Sequence, residues 1–176
     1  MNSLGYAMVA ALWHDAITGA PVVPPVDPCL APIFILEDLD GYAFKQNLLE
    51  EGNEYYTDET FTLTNVPAEL ADAVWVEQAN ADNTNADANF MSFDVGPTPV
   101  TVYIAYDPVG GPPIEATAHG FAALGAPLSS ALTTSDASVG TFSLVEATNV
   151  TGVVTLGGTV SDGGVARQGY VVIVVP

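Results

Sequence analysis

The sequence predicts an all-β protein, a β-sandwich or jelly-roll-like domain that follows an N-terminal extended arm and a Pro-rich linker. Three observations carry that expectation. Val100, Val102, Ile104 and Tyr106 alternate with Thr101, Tyr103 and Ala105, the period-two pattern of a strand. Similar short runs recur down the chain, separated by turns such as Gly96-Pro97, Gly110-Gly111-Pro112-Pro113, Gly157-Gly158 and Gly163-Gly164, which is the punctuation of a sandwich. The last run, residues 170–175, is apolar on both faces (YVVIVV); it belongs in the middle of a covered sheet, since at an open edge it would aggregate.

Taken in order, residues 1–20, MNSLGYAMVAALWHDAITGA, form an apolar arm. Leu4, Tyr6, Met8 and Leu12 alternate with Val9 and Trp13, and both sets are apolar, so neither a strand nor a helix made of them has a face fit for water. Residues 21–32, PVVPPVDPCLAP, hold five prolines and read as an extended spacer, spanning roughly 25 Å from residue 21 to 28 at about 3.1 Å per residue. Residues 33–176 form the β-sandwich domain. Its strand candidates are residues 33–36, 60–64, 74–78, 90–95, 100–106, 141–146, 150–156 and 170–175. Helix is expected only over residues 42–51, closed by Gly52 as C-cap, and as a single turn over 66–70 with Pro67 at its first position. Val102, Ile104, Leu156, Tyr170, Val172 and Ile173 are the expected core, because their strands have the strongest apolar patterns.

Composition narrows the function. Against 21 acidic residues stand only Lys45 and Arg167, a net charge of -19, while 49% of the chain is apolar. Nucleic acid is excluded as a partner, because phosphate binding needs clustered Lys and Arg. No stretch reaches the roughly 18 apolar residues of a membrane span. Cys29 is alone, so no intrachain disulfide forms. Scarce basic residues leave few trypsin-type cleavage points, which suits an extracellular or cell-surface protein.

Three stretches in order, FTLTNVPAELADAVWVEQANAD (61–82), VTVYIAYD (100–107) and VTLGG (154–158) followed by GYVVIV (169–174), carry a family likeness. Over residues 56–176 the chain resembles a β-sandwich domain recurring in secreted bacterial proteins, often beside polysaccharide-degrading or adhesive modules. That resemblance implies a β-sandwich fold and a polysaccharide-associated or adhesive role. In the family, basic residues and a Pro-aromatic pair follow the second stretch, whereas this chain reads PVGGPPIEATAHGF.

Catalysis has little material. The histidines are His14 and His119, and no G-x-S-x-G elbow surrounds a serine, so neither a triad nor a zinc site is supplied. No enzyme activity and no required cofactor are expected. The candidate metal site is the loop 80–89, where Asp82, Asn83, Asn85 and Asp87 offer the hard oxygens that Ca2+ takes; the same residues also suit a plain polar turn. Glu37-Asp38-Leu39-Asp40-Gly41 is a second acidic turn. For sugar binding, Trp75 and Glu77 share a strand face, with Tyr55, Tyr56 and Tyr103 also available; such aromatics equally fill cores.

Two functions follow. The first is a structural subunit of an extracellular, pilus-like filament: identical subunits polymerise head to tail as Leu4, Tyr6, Met8, Val9, Leu12 and Trp13 add a strand to a neighbour. The arm has the alternative of folding back as a strand of its own sandwich. The second function is a non-catalytic carbohydrate-binding accessory module of a secreted bacterial protein, with polysaccharide as partner.

Overall fold

Eleven strands and two 3-10 turns are found in the described part of the chain, which in this computed structural model comprises residues 34–35, 42–45, 48–71, 73–113, 120–159 and 169–176. The expected arm and linker, Cys29, both histidines, Arg167 and the acidic turn 37–41 lie outside the described residues. The unit described here is Pro32–Pro176.

The centre is an antiparallel six-stranded sheet, in the order β2 (Ala43–Lys45), β4 (Val74–Glu77), β11 (Val171–Val175), β6 (Val100–Tyr106), β9 (Ser143–Val150), β7 (Ala122–Ala123). A three-stranded sheet packs on one face, in the order β1 (Phe34–Ile35), β5 (Met91–Asp94), β10 (Val153–Leu156). The other face is covered by the pair β3 (Leu63–Asn65) and β8 (Thr133–Thr134) with the segments around Leu49, Tyr55, Leu70 and Phe142.

Period-two alternation explains both cores. On β11, Val172 and Val174 join Val76, Val102, Ile104, Phe93, Val154 and Leu156 in the first cluster. Val171 and Ile173 join Trp75, Ala105, Leu63, Leu132 and Phe142 in the second. The two-sided apolar run is therefore a central strand with a buried face on each side, as its pattern predicted. All six expected core residues are buried. The edge strand β10 shows the contrasting pattern, with Val154 and Leu156 inward and Val153 exposed.

Helix is corrected in two places. Within the expected helix 42–51, Ala43–Lys45 is strand β2, paired with β4 through Ala43–Glu77, Phe44–Val76 and Lys45–Trp75. A two-turn helix is marginal by itself, and ladder bonds to an open sheet edge outweigh it. Gly52 still reverses the chain, at φ +87°, and its amide donates to the Leu63 carbonyl. The single turn after Val66 is a 3-10 turn, Ala68–Leu70, with Pro67 one place earlier than expected, at the N-cap, and Leu70 buried. Three strands had no periodic signal: β2, β7 and β8 are two or three residues long, too short to show a period.

Candidate functional site

Trp75 is 1% exposed and packed among Tyr55, Tyr56, Leu70 and Ile173. Its ring has no free face, which corrects the expected sugar platform. Period two places Trp75 on the face that β3 and β8 cover, and the sequence does not say which face is covered. Glu77 forms an ion pair with Lys45, its neighbour on β2. Tyr55 and Tyr56 are buried too, with ring centroids 4.4 Å apart. The Tyr55 hydroxyl shares a 2.7 Å hydrogen bond with Thr134 Oγ1, and Tyr56 donates to the Gly169 carbonyl at 2.7 Å. Burial pushes the Tyr55 phenol up to about 12 and raises that of Tyr56 as well.

The loop 80–89 is well organised. Asn80–Thr84 is a 3-10 turn whose first amides, those of Asn80 and Ala81, donate to the Asp58 carboxylate at 2.6 and 2.8 Å. Asp82 accepts from the Tyr42 hydroxyl. Asn85 Oδ1 accepts from the Asp87 amide, and Asp87 Oδ1 from the Asn89 amide. Oxygens proposed as calcium ligands thus close turns, the other role open to Asn and Asp. Among the described residues, no three His, Cys, Asp or Glu side chains form a group able to hold a metal ion. Gly158 locks the loop from the other side: its amide donates to the Asp87 carbonyl, and a Cβ there would lie 2.4 Å from the Asn85 carbonyl oxygen.

Tyr103 is the one named aromatic candidate that stays half-buried at the rim. It lies on β6 directly across from Glu146 on β9. Burial, then the Glu146 and Glu69 carboxylates, hold its phenol above the usual range. Glu146 accepts the Gly125 amide at 2.6 Å. Glu69, at the 3-10 turn, accepts the Ser129 amide and hydroxyl at 2.9 and 2.7 Å, and these bonds hold it below the usual carboxylate range. The half-buried Tyr103 phenol, two carboxylates and a serine hydroxyl so come together over the β6–β9 part of the sheet. Sequence offered one signal, the alternation that sets Tyr103 apart from Val102 and Ile104; Glu146, Glu69 and Ser129 arrive through strand register and a contact 60 residues long.

No helix among the described residues is long and apolar enough to cross a membrane. The assembly residues Leu4, Tyr6, Met8, Val9, Leu12 and Trp13 lie outside the described residues. No family model and no curated protein matches the chain. Its fold is similar to part of a solved β-glucuronidase from glycoside hydrolase family 2, with a TM-score of 0.66 and 18% identity over 89% of this chain. A GH138 enzyme targeting pectin rhamnogalacturonan II aligns over 96% of the chain at 14% identity, with a TM-score of 0.46 that carries no argument. The chain spans 16% and 19% of the lengths of those two proteins. The first likeness places the chain among β-sandwich folds found in a glycoside hydrolase.

Proposed function

We propose that this protein is a non-catalytic, carbohydrate-associated β-sandwich module that works outside the cell beside a polysaccharide-acting partner or domain. The observation that carries the reading is the fold likeness to a sixth or so of a β-glucuronidase chain, a part rather than a whole enzyme. The rim around Tyr103 is the place where a sugar would bind: an aromatic face stacks on a pyranose ring, and the Glu146 and Glu69 carboxylates accept hydrogen bonds from its hydroxyls. At a net charge of -19, neutral glycans are favoured over uronate-rich ones, which the acidic surface repels. The fibre-subunit reading rests on an arm outside the described residues, and none of the structural neighbours supports it.

The test is a glycan array followed by calorimetry with soluble neutral polysaccharides. Binding without release of reducing ends is expected, and Tyr103→Ala should weaken it by at least about tenfold in protein that retains the β-sheet dichroism of the parent. An array blank for every neutral and acidic glycan would sink the reading.

A further inference from the structure

One end of the central strands gathers buried oxygen atoms that no hydrogen bond satisfies among the described residues. Asp107, just past β6, is 2% exposed. Its Oδ1 accepts the Val109 amide at 2.9 Å, and its Oδ2 is buried with no partner. Asp136, in the turn between β8 and β9, is 4% exposed. Its Oδ1 accepts the Ser138 amide and hydroxyl at 2.8 and 2.7 Å, and its Oδ2 is likewise buried and unpartnered. Gln78, which ends the β4 run, is 2% exposed; its amide nitrogen donates to the Tyr170 carbonyl, while Oε1 has no partner.

Register and contacts place these groups around the Tyr55–Tyr56 pair. Asp107 and Gly169 each lie two residues beyond the Ala105–Val171 pair, on adjacent antiparallel strands. Gly169 abuts both Gln78 and Tyr56: a Cβ there would sit 2.6 Å from Gln78 Nε2 and 3.2 Å from Tyr56 Cε1. Asp136 approaches through Thr134, whose Oγ1 takes the Asp136 amide at 3.0 Å and also bonds Tyr55. Both carboxylates act on the Tyr56 phenol, whose affinity for its proton they raise.

A carboxylate taken from water without a counter-charge is among the costliest groups a fold can bury. Two such groups flank the same aromatic pair, and among the described residues the one basic side chain, Lys45, is held by Glu77. We propose that Asp107, Asp136 and Gln78 form the protein part of a site for one hard divalent cation of the calcium class. Two carboxylates match a double positive charge, and a side-chain amide oxygen is an ordinary third calcium ligand, with water completing the shell. This site is separate from the loop 80–89 and does not depend on the carbohydrate reading.

The full-length protein, stripped with a chelator, is titrated with terbium and with calcium. Tyr55, Tyr56 and Trp75 serve as antennae for terbium luminescence. One tight site per chain is expected, competed by calcium, with a calcium-dependent rise in melting temperature. Asp107→Asn and Asp136→Asn should each weaken terbium binding by about a hundredfold, while Asp82→Asn and Asp87→Asn leave it unchanged. Each of the first two variants should also melt higher than the stripped parent, because a buried charge is gone. Should a variant fail to fold, the parent titration decides: only weak uptake spread over many carboxylates overturns the site. Destabilisation by Arg167→Gln together with indifference to calcium also overturns it, by assigning the counter-charge to the guanidinium.

Discussion

Tyr56 shows how much can hang on one side chain. Its ring packs on Tyr55 and against Gly169, and its hydroxyl satisfies the Gly169 carbonyl at the entry to β11. Tyr56→Phe keeps the ring and leaves that carbonyl without the bond, so a loss of about 1–3 kcal/mol is expected in urea unfolding. A variant as stable as the parent would show that the carbonyl finds another donor. Gly158 is constrained by the opposite circumstance, too little room. A methyl there meets the Asn85 backbone carbonyl, which cannot move aside, as well as the Asn85 side-chain oxygen. Gly158→Ala should therefore lower the melting temperature and raise hydrogen exchange at the Gly158 amide, which the Asp87 carbonyl now holds at 2.7 Å.

Among the elements, β11 and β10 make a natural comparison. Both are valine-rich, yet β11 is flanked by β4 and β6 and covered on both faces, whereas β10 pairs among the described residues with β5 alone. Ile173→Ala opens a cavity in a packed layer and should cost about 2–5 kcal/mol. Val153→Thr alters an exposed edge position and should stay within about 0.5 kcal/mol of the parent. Equal costs in a denaturant series would mean that the second layer, with β3 and β8, does not seal the sheet.

At the scale of the whole molecule, the buried phenols set the alkaline limit of the fold. In the unfolded chain each titrates near its ordinary value of about 10. In the folded protein, burial pushes Tyr55 up to about 12, and Tyr42, Tyr56 and Tyr170 are pushed up too, Tyr42 also by the Asp82 carboxylate. Between those values the unfolded state has released protons that the folded state keeps. Stability from these groups is thus complete below about pH 10 and is lost as the pH rises through the folded values. Tyrosinate absorbance from the buried rings should appear together with loss of the β-sheet dichroism; ionisation near pH 10 with the sheet signal intact would contradict this. Both described clusters draw on residues from Leu49 onward, with Tyr42 packed against one of them. A chain beginning at Pro32 should accordingly melt in one cooperative transition, checked by calorimetry.

What the sequence determined by itself was whatever repeats locally: the strands with period two, the two-sided apolar run of β11, and the six core residues named from pattern alone. Only the tertiary structure decided which face of each strand is covered, because alternation distinguishes two faces without saying what lies against either. Hence Trp75, on the face that β3 and β8 seal, became core, while Tyr103, on the same face but beside β9, stayed half-buried. Strand β2 formed where a short helix was expected, since a ladder to β4 is invisible in a three-residue segment. The Tyr103–Glu146–Glu69 rim and the Asp107–Asp136 end depend on register between strands distant in the chain. No local physical rule sets that register; the closing of two cores at once does.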